Sequence, residues 1–399
     1  MISGEFAAPA VNNPKNIIST SANAKLISSN DTSGFTYLGR FTNASQALGI
    51  SSEASQKAHN ALRWLAAEQG VSAVFGGRTF ICWNPAGKKT PPVAGPFSWF
   101  QQPLLKPSDY REQLQHTLNG YKSELPDNAD VVIASFDAAT SGRLSLTYYN
   151  ELMGSDFLQR LHDWDLHCCW LSINFGIQSP ALWQIVNCAF GAQLSEKGKE
   201  IFKTDDRIMR QQIQRLISCR IDQGHMPADI LKAITQRCSR LQIYESNLRE
   251  MLLSTACAVI RKYRYDIYEE ECEMTLDANR PDRSYQFGRL LAVLEKIERD
   301  TYDSEEGREP CAIRQQSVFC QRPLYAAKNI EAQLERAYFP RLKPGARIYY
   351  KNLLGQIMAQ INEFPPEQWN KALSETYLMG YYLQRNELYK AKNKNEEEK

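Results

Sequence analysis

The sequence predicts an α+β fold, with a short-stranded α+β N-terminal part followed by an all-helical bundle C-terminal domain. Up to about residue 150 the apolar runs are short and separated by turn residues, whereas beyond Ile201 glycine is sparse and apolar residues recur at helical spacing. The chain has 399 residues, 43% of them hydrophobic, which is enough material for two or three packed domains. We therefore expect an α+β region over 1–200 and a helical bundle over 201–399.

Short strands and one helix are predicted in the first hundred residues. Strand-like runs cover 25–29, 72–75 and 78–83, and two glycines at 76–77 are a tight-turn signal. From Ser52 to Gly70 an apolar stripe at helical spacing predicts a helix. The proline-rich stretch from Pro91 to Pro107 resists regular structure, and a linker or an ordered binding loop fits it equally well.

The stretch from Val131 to Trp164 predicts a hairpin followed by a helix. An apolar run over 131–136 and an alternating run over 143–149 are joined by a Thr-Ser-Gly turn. The alternation assigns Leu144, Leu146 and Tyr148 to one face. Gly154-Ser155 then places a hydroxyl at a helix N-cap, and apolar residues follow at helical spacing.

Four amphipathic helices are predicted beyond Ile201. Prolines fall near the starts or ends of these segments, as expected for helix punctuation. The apolar faces comprise Leu248, Met251, Leu252, Ala256, Val259, Ile260 and Tyr263; Ile330, Leu334, Ala337 and Tyr338; Leu354, Met358 and Ile361; and Leu378, Tyr381, Tyr382 and Tyr389.

Composition excludes several protein classes. The ten cysteines form no Cys-x-x-Cys pair, and the N-terminus lacks the pattern of a signal peptide, so we expect a reducing, cytoplasmic location. The longest apolar region, Trp164 to Phe190, is interrupted by polar residues and is interpreted as buried core rather than a membrane span.

Charge is distributed in blocks, although the net charge is only +2. Residues 201–268 carry twelve Lys/Arg against seven Asp/Glu, 269–309 six against thirteen, and 310–395 thirteen against six. Basic blocks of this size are compatible with binding a phosphate backbone, although exposed helix faces are often charged without binding anything. The candidate phosphate contacts are pairs three residues apart on predicted helices: Arg207 and Arg210, Arg237 and Arg240, and Arg261 and Arg264.

Two further groups are candidate nucleic-acid contacts. Lys88 and Lys89 lie in a Gly-Lys-Lys-Thr stretch that lacks the remaining residues of a phosphate-binding loop, so a surface loop is the alternative. Trp99 and Phe100 lie in the proline-rich stretch, where exposed rings could stack on bases. Most other aromatic residues are expected to fill the core.

One segment contains metal-ligand residue types. On a helix, His162, Asp165 and Cys169 share a face, whereas His167 points away. Apolar neighbours favour packing over zinc binding, and we expect no metal, no cofactor and no catalytic residue. The alternatives are a protein–protein scaffold without direct nucleic-acid contact and a metal-dependent hydrolase using His162 and Asp165.

Several separated stretches resemble the large subunit of type I-C CRISPR effector (Cascade) complexes. They span the chain almost end to end: KLISSNDTSGFTYLGRF at 25–41, EASQKAHNALRWL at 53–65, SFDAATSGRLSLTYYNELMGSDFL at 135–158, YQFGRLLAVLEK at 285–296 and LSETYLMGYYLQR at 373–385. The resemblance implies a non-catalytic subunit that accompanies the guide RNA, helps open target DNA, stabilises the displaced strand and recruits a separate helicase-nuclease.

The resemblance also raises two expectations about chain ends. Members of this family carry an N-terminal domain that is implicated in reading the target-adjacent motif. The segment starting at Met1 resembles a part of the family sequence that follows this domain, so we expect this sequence to lack it. A run of glutamates at 269–273, whose codons resemble a ribosome-binding sequence, precedes Met274. Residues 274–399 are therefore a candidate internally initiated small subunit, and an ordinary acidic loop is the alternative.

Overall fold

The computed structural model describes residue 4 and residues 6–27, 49–68, 71–97, 103–173, 175–303 and 307–397, with the backbone alone at 139 and 391–397. The predicted succession, α+β and then helical, is confirmed. In chain order the elements are α1 (Ser52–Ala67), β1 (Ser72–Phe75), β2 (Arg78–Trp83), α2 (Pro107–Glu124), β3 (Asp130–Thr140), β4 (Arg143–Met153), α3 (Gly154–His167), β5 (Trp170–Ser172), β6 (Gly176–Gln178), α4 (Leu182–Phe190), β7 (Ala192–Glu196), β8 (Lys199–Lys203), α5 (Asp206–Ile221), α6 (Ala228–Cys238), α7 (Ser246–Tyr268), α8 (Arg283–Arg299), α9 (Cys311–Arg314), α10 (Gln316–Gln321), α11 (Pro323–Ala337), α12 (Pro344–Asn362) and α13 (Tyr377–Glu397).

The chain divides into two compact units that interleave along the sequence. Unit 1 comprises 1–98, 114–163 and 205–223, and unit 2 comprises 99–113, 164–204 and 224–399. The predicted division at residue 200 follows the change in composition along the chain. Each unit, however, is made of separate stretches of the sequence, and the division at residue 200 stays a prediction. No helix in the described ranges combines the length and apolar character that crossing a membrane requires.

Unit 1 is built on a four-stranded antiparallel sheet in the order β1-β2-β3-β4. The predicted hairpin is confirmed, with Thr140 paired to Arg143 across its turn. A register shift between Ser135 and Phe136 interrupts the alternation on β4, which is the effect of a β-bulge. Leu144 and Leu146 pair with Ala138 and Phe136 with no shift between them, so they lie on one face, whereas the bulge moves Tyr148 to the other face, contrary to the prediction. On their shared face Leu144 is 4% exposed and Leu146 is 50% exposed.

Three predicted boundaries in unit 1 differ in detail. Helix α1 ends at Ala67, and Gly70 lies outside the described residues. Helix α3 begins at Gly154, which places Ser155 inside the first turn rather than at the N-cap. Of the predicted strand at 25–29, Lys25 forms only isolated bridges and residues 28–29 are not described.

Unit 2 is organised around α8, a helix buried on all sides. Every residue from Ser284 to Glu298 is buried, since α11, α12 and α13 pack against it. Its polar side chains are matched by partners: Tyr381 donates to Glu295 at 2.5 Å, and the backbone N of Cys311 donates to Glu298 at 2.7 Å. Burying these groups without such hydrogen bonds would be strongly unfavourable.

Two small hairpins in unit 2 escaped prediction from sequence. Strands β5 and β6 pair, and so do β7 and β8, so the helical part begins after Lys203 rather than at Ile201. The β7–β8 turn has positive φ at Lys197 (52°) and Gly198 (75°), the geometry of a two-residue hairpin turn.

Candidate nucleic-acid interface

The first predicted arginine pair lies near the start of α5, in unit 1. Arg207 has an exposed side chain, whereas Arg210 Nη1 lies 3.2 Å from Asp137 Oδ1. The other oxygen of Asp137 lies 3.1 Å from Arg78 Nη2. One carboxylate thus serves two guanidiniums, which leaves this group with one net positive charge. The role of Arg78 was not predicted from the sequence, because its partners on β3 and α5 are far from it in the chain.

The second pair has unequal members. The Arg237 guanidinium lies 4.7 Å from the centre of the Phe202 ring and 5.2 Å from that of Tyr244, a cation–π arrangement inside unit 2. Its Nε and Nη2 are buried without a hydrogen-bond partner among the described residues. Arg240 is exposed just beyond the end of α6. Only Arg240 of this pair is freely presented to a ligand.

The third pair is held by the protein itself. Arg261 is 5% exposed, and its guanidinium donates to the carbonyl oxygens of Cys272, at 2.9 Å, and Leu166. Arg264 is bound by Glu270 and lies 3.2 Å from Glu375. These two arginines stabilise the end of α7, so a phosphate would have to compete with partners already in place.

The acidic run at 269–273, just beyond α7, provides one of the partners of Arg264. Glu269 ends α7 in the left-handed region at φ 53°. Burial raises the pKa of the Glu270 carboxyl, but Arg264 and Arg280 lower it further, and the net direction is below its ordinary value of 4.5. Part of the run therefore holds arginines in place and is more than a solvated acidic loop.

The remaining predicted nucleic-acid contacts are the lysines that follow β2 and the two aromatic residues of the proline-rich stretch. Lys88 and Lys89 are exposed after β2, and the backbone N of Lys88 donates to Asn84 Oδ1 at 3.1 Å. Trp99 and Phe100 lie outside the described residues. The preceding part of the proline-rich stretch is docked, since Val93 is buried and its carbonyl accepts from Arg220 Nη1 at 3.0 Å.

The segment with metal-ligand residue types is occupied by other contacts. His162 Nδ1 lies 3.2 Å from Asp163 Oδ1, and Cys169 Sγ lies 3.2 Å from Arg261 Nη1. Burial raises the pKa of the Cys169 thiol, which disfavours the thiolate that zinc requires. In the described part of the chain no group of three or more His, Cys, Asp or Glu side chains could hold a metal ion.

A basic segment outside the predicted arginine pairs lies at residues 336–351 in unit 2. It joins the end of α11 to the start of α12 and contains no Asp or Glu. All of its cationic side chains except that of Arg347 are exposed. These cations are Arg336, Arg341, Lys343, Arg347 and Lys351. The segment lies within the basic block 310–395 noted in the sequence. Its cations lie around a turn, so they do not show the i, i+3 spacing that indicates one face of a helix.

Few carboxylates compensate the basic segment. Lys351 Nζ lies 3.1 Å from Glu335, and Arg347 Nε donates to the carbonyl oxygen of Phe339 at 3.0 Å. Arg341 lies over the Tyr338 ring at 5.8 Å. Arg336 and Lys343 have no hydrogen-bond or ion-pair partner among the described residues. Three cations are therefore available to an external anion.

The backbone adds to the positive potential at this segment. Lys343 is the N-cap of α12, so the first turn directs unpaired backbone N–H groups outward. Cations near a helix N-terminus are unfavourable by about 0.3–1 kcal/mol each, because they repel the positive end of the helix dipole. Lys343 and Arg347 thus oppose helix stability, and a bound anion would relieve that repulsion.

Exposed apolar side chains border the same turn. Ile348 is 63% exposed and Tyr349 is 51% exposed, one turn into α12. The neighbouring Tyr350 is instead buried and donates to Asp300 at 2.5 Å, which fixes this part of the helix. The segment therefore combines cations with an exposed ring on a rigid element, the combination found where proteins bind single strands.

Comparison with known protein families gives a match over nearly the whole chain. Residues 1–389 match the family model described as CRISPR-associated protein (Cas_Csd1), which covers nearly the whole chain. No curated protein matches the sequence.

Proposed function

We propose that this chain, which belongs to the Cas_Csd1 family of CRISPR-associated proteins, is the non-catalytic large subunit of a type I-C effector complex. Membership in the family agrees with the Cascade-type resemblance found in the sequence. In this role the chain would work in the cytoplasm beside the guide RNA and backbone subunits. It would contribute to target DNA binding, displaced-strand stabilisation and recruitment of a separate helicase-nuclease.

The basic segment at 336–351 is the observation that carries the nucleic-acid part of this proposal. Four of its five cations lack carboxylate partners among the described residues, and two of its charges lie where the helix dipole disfavours them. Phosphate oxygens satisfy both features, because they pair with guanidinium and ammonium groups and accept from N-terminal backbone N–H groups.

The same geometry supports binding of a single strand without sequence reading. Arg336, Arg341 and Lys343 would bind successive phosphates, and the exposed ring of Tyr349 would stack on a base. Such stacking is worth about 1–3 kcal/mol per base and tolerates any sequence. A displaced target strand needs this kind of support, since its sequence changes with every target.

A non-catalytic role is supported by the state of the candidate ligands. Asp165 is 1% exposed, and Cys169 contacts a guanidinium. A hydrolase would need such groups open to a metal and to water. We therefore assign placement of nucleic acid, rather than its cleavage, to this chain.

The test uses a triple variant, R336Q/R341Q/K343Q, in the full chain and in the assembled complex. Because these side chains are exposed, folding should be unaffected, and binding of a single-stranded oligonucleotide should weaken by about tenfold or more. The matched control is K57Q/K106Q/K122Q, which removes three exposed lysines elsewhere. Fluorescence anisotropy of a labelled strand gives the dissociation constants.

The scaffold alternative predicts a different result. If the triple variant and the control bind the strand equally well, the basic segment does not contact nucleic acid. Loss of complex assembly with unchanged strand binding would then identify the segment as a protein–protein contact.

A further inference from the structure

Four cationic residues follow one another in a row at the edge of the unit 1 sheet. Arg63 Nη2 donates to the carbonyl oxygen of Lys15 at 2.8 Å, and Lys15 pairs with Lys25 in an antiparallel bridge. Lys25 in turn pairs with Arg143, the first residue of β4, in a parallel bridge. Paired strands are about 4.8 Å apart, so the last three of these residues succeed one another at steps of roughly that length. We call these four residues the cationic row.

The paired residues of the cationic row share one face. Residues that pair across strands direct their side chains to the same side. The adjoining residues Ala24 and Leu144 are buried, at 0% and 4% exposure, on the opposite side. Lys15 and Arg143 are exposed, and Lys25 is half-buried. The cationic row therefore reaches solvent on the side away from the core.

The two lysines have no carboxylate partner among the described residues. Lys15 Nζ lies 3.5 Å from Asn23 Oδ1. Lys25 Nζ likewise lies 3.5 Å from Asn12 Oδ1, so each ammonium has only a neutral amide beside it. Arg63 donates to backbone carbonyl oxygens and not to a carboxylate in the described part of the chain. Like charges that face each other across paired strands are unfavourable, and a bound anion would relieve that repulsion.

The cationic row is attached to the core of unit 1. Ile17, Ile18 and Ala24 lie on the segment that carries both lysines, and they are buried at 2%, 1% and 0% exposure. They belong to the same apolar cluster as Phe136 and Leu144 of the sheet. The backbone that carries the lysines is thus already ordered, which lowers the entropic cost of binding a ligand there.

Positive charge continues along the same face of the sheet. Asp137 of β3 pairs with Ser145, two residues beyond Arg143, so its carboxylate lies on the face of the cationic row. That carboxylate is bound by Arg78 and Arg210, and the three side chains together carry one net positive charge. A polyanion lying along this face would therefore meet the cationic row and then a second positive group.

We infer that the cationic row binds the phosphodiester backbone of a nucleic-acid strand, with phosphates on Lys15 and Lys25. Amide N–H groups of Asn12 and Asn23 can donate to the same phosphates, since side-chain amides are common phosphate donors. Phosphate contacts hold a strand without reading its bases, so the contact is independent of sequence. The row lies in unit 1 and shares no residue with the basic segment in unit 2, so this inference goes beyond the proposed function.

The test measures strand binding by K15Q/K25Q in the full-length protein, by fluorescence anisotropy of labelled RNA and DNA of the same length and sequence. Loss of two phosphate contacts should weaken binding by about fivefold or more and make the salt slope shallower by about 1.4. RNA and DNA should lose affinity alike, because the row binds phosphates. The matched control K57Q/K122Q removes two exposed lysines of the same unit and should leave both affinity and slope nearly unchanged.

A second variant separates binding from folding. N12D/N23D places a carboxylate beside each lysine, at the positions where the amide oxygens lie 3.5 Å away. It should maintain or raise the melting temperature, because each ammonium gains an opposite charge. It should also weaken strand binding, because the new carboxylates repel phosphate. A purely structural role for the lysines would not produce these opposite changes.

Three outcomes would overturn the inference. They are unchanged strand binding in folded K15Q/K25Q and N12D/N23D, an equal loss of binding in K57Q/K122Q, and a loss confined to RNA or to DNA. Comparison with R336Q/R341Q/K343Q separates this inference from the proposed function. Weaker binding in K15Q/K25Q with normal binding in the triple variant would support the cationic row and contradict the basic segment, and the reverse result would do the opposite.

Discussion

Gly288 of α8 and Gly380 of α13 each lie directly against the backbone of the opposite helix. A Cβ on Gly288 would overlap the carbonyl oxygen of Tyr377, and a Cβ on Gly380 would overlap that of Tyr285. Neither glycine has a positive φ, so the requirement is close approach of the backbones rather than an unusual turn. The central helix of unit 2 is thus held against α13 at a distance that only glycine permits.

The helix contact predicts the cost of adding a methyl group. G288A and G380A should each lower the free energy of unfolding by about 1–3 kcal/mol or more, because the helices must separate to accept the side chain. The control is G355A on an exposed face of α12, where an added Cβ meets nothing within 4 Å. This change should raise stability by up to about 1 kcal/mol. Urea denaturation monitored by circular dichroism provides the measurement, and a G288A protein as stable as G355A would contradict the prediction.

The buried position of Arg261 predicts a structural role for this residue. R261Q should leave the carbonyl oxygens of Leu166 and Cys272 without their donor, at a cost of about 1–3 kcal/mol for each unsatisfied group. R207Q, on an exposed side chain, should change stability by no more than about 0.5 kcal/mol. Thermal denaturation of both variants decides the matter. Equal melting temperatures would show that Arg261 is not needed for folding.

The lowered pKa of Glu270 predicts a dependence of stability on pH. Since its pKa in the folded protein is below the ordinary value of 4.5, the ionised carboxylate is bound more favourably in the folded state. Its stabilising contribution is full above pH 4.5 and is lost as pH falls through the lower folded-state pKa. E270Q should therefore be less stable at neutral pH and lose less stability on acidification. The exposed control E367Q should retain the full acid dependence, and identical acid profiles for E270Q and the unmodified protein would argue against the Arg264 and Arg280 contacts.

The candidate internal start predicts a second product from the same gene. Residues 274–399 contain α8 to α13, whose mutual packing around α8 could persist without the rest of the chain. Met274 is 5% exposed, and leucine has a similar volume, so M274L should leave the full-length protein intact. With a C-terminal tag, the short product should disappear in M274L and remain in the control M251L. A short product that persists in M274L, or is absent from the unmodified gene, would rule out initiation at Met274.

Local features of the fold were predictable from sequence, and distant partnerships were not. The β3–β4 hairpin and α7 follow from period-2 and period-3.6 patterns, which act over a few residues. The β7–β8 hairpin was missed because its strands are polar and only five residues long. The bulge that moves Tyr148 off the face shared by Leu144 and Leu146 was missed because a register shift leaves no mark in composition.

The same difference between local patterns and distant contacts applies to the candidate site. Charge blocks pointed to the region that contains the basic segment, but spacing favoured Arg261 and Arg264, whose partners include residues 95 and 111 positions away. Whether an arginine is free or bound depends on such contacts, and one sequence does not reveal them.

The most direct test of the nucleic-acid role is the salt dependence of single-strand binding. The logarithm of the binding constant should fall linearly with the logarithm of salt concentration, with a slope of about −0.7 per phosphate contacted. Removing Arg336, Arg341 and Lys343 should therefore make the slope shallower by about 2. A triple variant with the slope and affinity of the unmodified protein would contradict the assignment of the basic segment to nucleic-acid binding.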